Sequence, residues 1–242
     1  MSSWVAEGRR QPAARLADLG QPGAVLLDLD GTLVDTVGRR IDGWLAAFRE
    51  AGLSADRTRI AALIGADGKR LAREVGEAAG GRLDEADIAA LDRRAGAIFS
   101  ELNVRPKPLP GARDLLLALG DGPLPAVVAT SSLDAQVAAS IDALDLPRRP
   151  LVVDGEHVEL AKPAPDLLLL AAQRAGVAAD RCWVVGDATW DFLAAGAAGM
   201  TGIGVATGAV DGAALLDAGA SVVISALTEL HIELGRRGLL AA

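Results

Sequence analysis

The stretch Ala24-Val25-Leu26-Leu27-Asp28-Leu29-Asp30-Gly31-Thr32 is an uninterrupted apolar run that ends in two carboxylates, a glycine and a hydroxyl. Such apolar runs are typical of strands that are covered on both faces in a parallel sheet. Alternation along an extended chain places Asp28 and Asp30 on the same side, and Gly31 allows a turn whose amide groups can face an anion. Two interpretations fit these residues alone: an ordinary Asp-Gly turn, or a carboxylate pair that needs a cation to offset its repulsion.

The rest of the chain alternates short apolar runs with longer helical ones. Strands are predicted at 24–29, 126–129, 151–153, 182–185, 202–205 and 222–224. Helices are predicted between them, at 112–119, 132–144, 165–175, 191–198 and 227–237. Strand–helix–strand repetition with short connections predicts an α/β fold with a doubly wound parallel sheet, in which ligands bind at the carboxyl ends of the strands.

The alternation fails between residues 37 and 105, where the only periodicity is helical. Helical runs cover 37–51, 57–64, 69–79 and 85–102, and a proline-rich segment at 105–111 ends them because proline cannot continue a helix. We therefore predict an N-terminal extension at 1–22, an α/β catalytic core at 23–36 and 106–242, and an inserted all-α cap of four helices at 37–105. The extension is predicted to be frayed or weakly helical.

Composition excludes several classes of protein. Hydrophobic residues make up 51% of the chain and the formal net charge is −8, so there is material for a core but no broad basic field for nucleic acid or anionic lipid. The uncharged stretch 192–210 is rich in glycine, which predicts a helix, a turn and a short strand in place of a membrane span. Cys182 is the only cysteine, which rules out an internal disulfide and fits a reducing compartment. We expect a cytoplasmic protein.

Polar residues also follow the second predicted strand and precede the helix at 165–175. After the strand, Thr130 can donate to a phosphate oxygen, while Ser131 or Ser132 can cap the next helix. Lys162 stands in Lys162-Pro163-Ala164-Pro165-Asp166, where the prolines hold it at a loop–helix boundary. A lysine fixed in this way supplies the local positive charge that an acidic chain needs in order to bind phosphate.

Another strand ends in Gly186-Asp187-Ala188-Thr189-Trp190-Asp191. Carboxylate oxygens such as those of Asp187 and Asp191 suit Mg²⁺, and the sequence has no cluster of histidine and cysteine that would suit zinc. Together the strand ends and the loops leaving them supply a carboxylate nucleophile, an acid/base, a hydroxyl donor, a cation and metal ligands. We interpret this combination as aspartyl-phosphate chemistry.

The combined segments resemble the motifs of the haloacid dehalogenase-like hydrolases, specifically the phosphatase branch with a helical cap inserted after the first motif (the subgroup of phosphoglycolate phosphatase and β-phosphoglucomutase). Residues 28–36 are similar to motif one, Thr130 to motif two, residues 162–166 to motif three and residues 186–191 to motif four. The order and spacing agree over residues 23–225. The resemblance implies a Rossmann-like parallel sheet with an all-α cap.

The resemblance also implies a role for each motif residue. Asp28 would attack phosphorus and become the aspartyl-phosphate, while Asp30 would protonate the leaving alcohol and then activate water. The phosphate-binding residues would be Gly31, Thr130, Ser131 and Lys162. The cofactor would be Mg²⁺, with ligands from the side chain of Asp28, the backbone carbonyl of Asp30, Asp187 and Asp191.

Other activities of the family stay open at this point. Asp30 favours phosphoryl transfer, because the resemblance implies that true dehalogenases lack this second aspartate. Phosphonate-cleaving relatives use a cap lysine, and Lys69 is the only lysine of the insertion. Mutase relatives carry a histidine where Arg40 stands, and usually Glu-Asp where this chain has Gly186-Asp187, so a mutase is disfavoured. A catalytically silent binding protein is a remote alternative, since no motif residue is missing.

We therefore expect a Mg²⁺-dependent phosphatase that hydrolyses a small phosphorylated metabolite: phosphoglycolate, a sugar phosphate or a nucleotide. The insertion would choose among them, and its basic residues would either contact substrate or lie on a solvated helix surface. The candidates are Arg39, Arg40, Lys69 and Arg70. We expect no nucleic-acid or membrane partner, and a monomer or homodimer.

Overall fold

The computed structural model describes residues 15–241. Its strands are β1 (Ala24–Leu27), β2 (Val34–Asp35), β3 (Lys107–Pro108), β4 (Ala126–Ala129), β5 (Val152–Val153), β6 (Cys182–Gly186), β7 (Thr201–Val205) and β8 (Val222–Ile224). Six of them form a parallel sheet in the order β5-β4-β1-β6-β7-β8, and β2 pairs with β3 as an antiparallel ladder. The predicted α/β fold with a doubly wound parallel sheet is confirmed, and each predicted strand is present to within two residues.

The described residues form ten α-helices. They are α1 (Val37–Glu50), α2 (Arg57–Leu63), α3 (Gly68–Ala78), α4 (Glu85–Leu102), α5 (Ala112–Gly120), α6 (Asp134–Ala143), α7 (Asp166–Ala175), α8 (Thr189–Ala197), α9 (Gly212–Asp217) and α10 (Leu227–Arg236). Single 3₁₀ turns lie at Leu16–Asp18, Gly155–His157 and Ala179–Arg181. The sequence predicted every one of the α-helices except α9.

Helices cover both faces of the sheet, which explains the continuous apolar runs of its strands. Val25 and Leu27 of β1 pack on one face with the apolar side chains of α5, α6 and α10. Ala24 and Leu26, which point the other way, pack with those of α7 and α8. Because both sets of alternate residues are buried, no polar residue falls within β1.

The register of the central strand brings the predicted motif residues together. Leu27 of β1 pairs with Val128 of β4 on one side and with Val185 of β6 on the other. The carboxyl ends of these parallel strands therefore lie side by side. The next residues in each chain segment are the ones predicted to carry the chemistry.

Helices α1 to α4 form a second hydrophobic core of their own, to which Phe48, Ile60, Val75 and Ile88 contribute. Helices α1 and α4 approach closely at Gly43, where an added Cβ would lie 3.2 Å from the carbonyl oxygen of Ala95. We call α1 to α4 the insertion. The division into an extension at 1–22, a core at 23–36 and 106–242 and a cap at 37–105 stays a prediction.

The structure bears on the predictions for the N-terminal extension and for the stretch 192–210. The predicted extension falls partly outside the described residues, but Leu16 is buried in the main core and Arg237 donates to the carbonyl oxygens of Leu16, Leu19 and Gly20. The described part of this segment is therefore attached to the core, and its 3₁₀ turn at Leu16–Asp18 agrees with the weakly helical alternative of the prediction. The stretch 192–210 is mainly the end of α8 followed by β7, as predicted. Among the helices of residues 15–241, none has the length and apolarity of a membrane span.

Candidate active site

Lys162 is the centre of a buried ionic cluster at the carboxyl edge of the sheet. Its Nζ donates to Asp28 Oδ1 at 2.7 Å, to Asp191 Oδ1 at 2.6 Å and to the carbonyl oxygen of Ala129 at 3.2 Å. The lysine side chain is only 2% exposed. Burial works against its charged form, but the carboxylates of Asp191 and Asp28 outweigh burial and raise the pKa of Lys162. The lysine is therefore a permanent cation beside Asp28.

Asp187 completes the cluster from the loop after β6. Its Oδ1 accepts a hydrogen bond from Thr32 Oγ1 at 2.8 Å. Burial is the main reason that the pKa of Asp187 is raised well above its usual range, and the carboxylates of Asp28 and Asp191 add to it. Burial likewise raises the pKa of Asp28 to about 7, against the lowering effect of Lys162. These carboxyl groups lack sufficient positive charge around them.

The donor set of this cluster fits a divalent cation. One oxygen from each of Asp28, Asp187 and Asp191 lies within 4.8 Å of the others. Three carboxylates and Lys162 carry a formal charge of −3 + 1 = −2, and all of these side chains are buried. A buried uncompensated charge is costly, and hard oxygen ligands are those that Mg²⁺ prefers. Mg²⁺ held by these residues would neutralise the cluster.

Gly31 makes room for this arrangement. Its φ is 89°, and an added Cβ would lie 2.3 Å from Asp187 Oδ2. Its own N–H donates to the carbonyl oxygen of Val34 at 2.8 Å, and the binding of phosphate at this turn stays a prediction. The glycine therefore serves the site by clearance and by its left-handed backbone.

Asp30 lies next to the cluster in a separate polar setting. Its Oδ1 accepts from Thr36 Oγ1 at 2.7 Å, and its Oδ2 accepts from Arg40 Nη2 at 2.9 Å and from Ser132 Oγ. Burial opposes ionisation, but Arg40 and the two hydroxyls prevail and lower the pKa of Asp30. Asp28 and Asp30 are thus two neighbouring carboxyls whose surroundings shift their pKa values in opposite directions.

The segment after β4 supplies hydroxyl groups to the cavity that Asp28 also lines. Thr130 and Ser131 line the cavity above Asp28. The buried Oγ of Ser131 has no hydrogen-bond partner among residues 15–241, which leaves it available to a ligand. The predicted capping role is not found, since α6 begins after Leu133 without a side-chain cap and Ser132 instead contacts Asp30.

A cavity of about 950 Å³ separates the sheet edge from the insertion. Its floor includes Asp28, Asp30 and Thr130, and its roof includes Lys69 and Asp92. Burial and the Asp67 carboxylate raise the pKa of Asp92, and this carboxyl has no hydrogen bond to any residue that the structure describes. Asp92 was not predicted from the sequence, because an aspartate within a helix carries no local signal.

The basic residues predicted to contact substrate have different positions. Arg39 donates to the carbonyl oxygen of Asp35 at 2.8 Å and is not on the cavity wall, whereas Lys69 is exposed on that wall. Arg70 lines the cavity but stacks over the Trp190 ring at 4.6 Å, and Arg40 is bonded to Asp30. Of these four, Lys69 has its charged group on the cavity wall without a hydrogen bond to another described residue, and its charge acts on Asp92.

The insertion also contacts the loop that carries Lys162 and the first turn of α8, which follows Asp187. The indole N–H of Trp190 donates to the carbonyl oxygen of Ala62 at 3.2 Å, and the N–H of Asp67 donates to the carbonyl oxygen of Lys162 at 3.2 Å. The insertion thus closes over the ionic cluster in this structure. Trp190 lies within the motif at 186–191, but its contact with the insertion was not predicted.

Comparison with known proteins agrees with this geometry. A family model described as haloacid dehalogenase-like hydrolase matches residues 25–205. Fructose-1-phosphate phosphatase YqaB of Escherichia coli (strain K12) is 34% identical over 185 residues, which are 75% of this chain and 95% of that protein. Hexitol phosphatase A of the same organism is 35% identical over 180 residues, 74% of this chain and 81% of that protein. The crystal structure of a hydrolase from Pseudomonas syringae has a TM-score of 0.83 at 31% identity, covering 89% of this chain and 99% of that one.

The chain belongs to the haloacid dehalogenase-like hydrolases. Its relatives that are named as phosphatases place it in the phosphatase branch of this family, and the enzyme class that they support is phosphoric monoester hydrolase. The resemblance inferred from the motifs is thereby confirmed.

Proposed function

We propose that the enzyme is a Mg²⁺-dependent phosphatase that hydrolyses the phosphate ester of a small hydroxylated metabolite through an aspartyl-phosphate on Asp28. The observation that carries this proposal is the buried cluster of Asp28, Asp187, Asp191 and Lys162, which has a formal charge of −2 and meets the cavity at Asp28. A divalent cation and a phosphoryl group complete such a cluster electrostatically.

The residues divide the reaction into two steps. In the first, a carboxylate oxygen of Asp28 attacks phosphorus, the ester P–O bond breaks, and the leaving alkoxide takes a proton from Asp30, which has to take up that proton beforehand because Arg40 favours its ionised form. In the second, water gives a proton to Asp30 and attacks the aspartyl-phosphate, releasing inorganic phosphate and the free Asp28 carboxylate. Mg²⁺, when bound, reduces the repulsion between the phosphate and the carboxylates.

Residues near Asp28 supply hydrogen-bond donors to the phosphoryl group. Lys162 lies within 2.7 Å of Asp28 Oδ1 and supplies positive charge, while Thr130 and Ser131 supply hydroxyl groups at the same edge of the cavity. The free hydroxyl of Ser131 supports its proposed phosphate contact. Asp30 is close but is held apart from the cluster by Thr36 and Arg40.

Two observations favour a sugar or polyol phosphate as substrate. The cavity of about 950 Å³ lies at the upper end of the range for small-molecule sites and is roomy for phosphoglycolate. Its roof presents the Asp92 carboxyl, which can accept hydrogen bonds from the hydroxyl groups of a sugar or polyol. Fructose-1-phosphate phosphatase and hexitol phosphatase are the names of two relatives, which supports the same class.

A phosphate-release screen tests this proposal. Fructose 1-phosphate, a hexitol phosphate, phosphoglycolate and a nucleoside monophosphate are compared with and without Mg²⁺. We expect Mg²⁺-dependent release that is fastest with fructose 1-phosphate or the hexitol phosphate. Release without metal, or preference for phosphoglycolate or the nucleotide, would contradict the cofactor or the substrate class respectively.

The alternative activities receive less support. A phosphonate-cleaving enzyme would need Lys69 as an imine-forming amine, but this side chain is exposed at the cavity wall. A phosphosugar mutase is disfavoured by Arg40, which is engaged with Asp30. A silent binding protein is disfavoured because every motif residue is present. We keep a cytoplasmic location, the absence of nucleic-acid and membrane partners, and a monomer or homodimer as parts of the proposal.

A further inference from the structure

We infer that Arg40 is a positioning residue that aligns the Asp30 carboxyl for proton transfer and makes this alignment depend on the closed insertion. The inference rests on the proposed function, because it concerns the proton that passes between Asp30 and the leaving alcohol. Arg40 is on α1 and reaches across the cavity wall to Asp30 Oδ2 at 2.9 Å.

The guanidinium of Arg40 is held by partners other than Asp30. It lies over the Phe99 ring at 3.7 Å from the centroid, and its Nη1 donates to Gln136 Oε1 at 2.7 Å. A further contact joins Nη2 to Ser132 Oγ. The arginine side chain is only 15% exposed. Its planar group therefore has one fixed orientation, and a fixed guanidinium orients the carboxyl that it binds.

Both carboxylate oxygens of Asp30 accept hydrogen bonds. Oδ1 accepts from Thr36, and Oδ2 accepts from Arg40 and Ser132. Asp30 and Arg40 form a neutral ion pair beside the cluster of net charge −2 around Lys162. Arg40 is consequently not a free cation that waits for the substrate phosphate, and its effect on the reaction passes through Asp30.

The partners of Arg40 belong to two parts of the molecule. Phe99 is on α4 of the insertion, whereas Gln136 is on α6 beside the sheet. Gln136 packs so tightly against α4 that an added Cβ at Gly96 would lie 2.4 Å from its Nε2. The arrangement around Asp30 is thus complete only when α1 and α4 pack against α6 as they do here.

Leaving-group dependence separates positioning from binding and from stability. Para-nitrophenolate leaves from phosphorus with little need for a proton, whereas an alkoxide needs one, and a general acid contributes ~10²–10⁴-fold where it is needed. The first step is followed in a rapid-mixing experiment as a burst of nitrophenolate, and for the alkyl ester as a burst of alcohol after acid quench. The variants are Arg40→Met and Arg40→Lys, and Arg49→Met, an exposed arginine of the same helix, is the control.

We expect Arg40→Met to slow the first step with the alkyl ester by roughly 100-fold while the nitrophenolate burst changes by less than about 3-fold. The KM of Arg40→Met should change little. Arg40→Lys should show a smaller difference between the two esters, because lysine keeps the charge but lacks the planar guanidinium. Arg49→Met should match wild type. An equal loss with both esters, or a raised KM with unchanged kcat, would overturn the inference.

Gln136→Met gives an independent answer should Arg40→Met not fold. It removes the contact that anchors Arg40 to α6, and we expect the same leaving-group split with a smaller loss for the alkyl ester. Equal rates to wild type with both esters would overturn the dependence on α6. Wild-type turnover of the nitrophenyl ester tests the proposed function separately: its absence sinks both proposals, whereas its presence without a split in the variants sinks only the role of Arg40.

Discussion

Lys162 Nζ lies 2.7 Å from Asp28 Oδ1, and both side chains are buried at the end of the central strand. A lysine buried on its own would lose its proton, so its charge depends on the carboxylates around it. The carboxylates depend equally on the lysine, because without it the cluster would hold three negative charges and no positive one. The prediction for Lys162 follows from this mutual dependence.

Replacement of the lysine should destabilise the protein strongly. Lys162→Met keeps most of the side-chain volume but leaves Asp28 and Asp191 without their partner, and breaking a buried ion pair from one side costs ~3–5 kcal/mol. Urea unfolding in the presence of EDTA measures this loss. Lys107→Met, a change at an exposed lysine of β3, is the control and should have little effect. A loss below about 1 kcal/mol for Lys162→Met would show that the cluster is not ionised as described.

Mg²⁺ should stabilise the wild-type protein. A ligand that binds only the folded state adds ~2.7 kcal/mol at a concentration of 100 times its Kd. Thermal unfolding with increasing Mg²⁺ should therefore show a rising Tm, and Asp187→Asn should remove most of the rise. Asp217→Asn, at an exposed residue of α9, should keep it. An identical rise in wild type and Asp187→Asn would place the metal elsewhere.

A methyl group at position 31 should damage the same site. Gly31→Ala combines a left-handed backbone with a Cβ that would lie 2.3 Å from Asp187 Oδ2, so we expect a loss of ~1–3 kcal/mol together with weaker Mg²⁺ binding. Gly38→Ala is the matched control, because its Cβ would meet no atom within 4 Å and alanine favours the helix. Both quantities come from urea unfolding with and without Mg²⁺. Unchanged Mg²⁺ binding in Gly31→Ala would contradict the packing of Asp187 against this glycine.

Asp92 should influence the choice of substrate and not the chemistry. Asp92→Ala removes a carboxyl from the cavity roof, and the loss of a hydrogen bond to a substrate hydroxyl should reduce kcat/KM for a sugar phosphate by ~10-fold or more. The same variant should hydrolyse para-nitrophenyl phosphate, which has no such hydroxyl, at nearly the wild-type rate. Equal effects on the two substrates would show that Asp92 acts on the fold and not on selection.

The sequence was sufficient to predict the sheet and the motif residues because each leaves a local pattern. The apolar run at Ala24–Leu27 followed by charged residues is the pattern of a strand in a sheet that is covered on both faces. The same pattern occurs at Cys182–Gly186. The short helix Gly212–Asp217 and the two-residue strands Val34–Asp35 and Lys107–Pro108 were not predicted. They contain too few residues for a periodicity, and β3 ends in a proline, which ordinarily argues against a strand.

The site contacts that the sequence did not predict all join distant segments. Arg40 was expected at the substrate, but its partner Gln136 is 96 residues away and gives no sign of this in its own neighbourhood. Arg70 was also expected at the substrate, and its stacking on Trp190 depends on how the insertion meets the start of α8. Such contacts are set by packing between elements, which a single sequence does not encode locally.

The attack by Asp28 is tested most directly by trapping the phosphorylated enzyme. Asp30→Asn is mixed with para-nitrophenyl phosphate and Mg²⁺, because this ester needs no acid for the first step whereas hydrolysis of the intermediate needs the base. The reaction is quenched in acid, digested and examined by mass spectrometry. The proposed function predicts one phosphoryl group on Asp28, and none in the double variant that also carries Asp28→Asn. A phosphoryl group on another residue, or turnover in Asp28→Asn above a few per cent of wild type, would contradict Asp28 as the nucleophile.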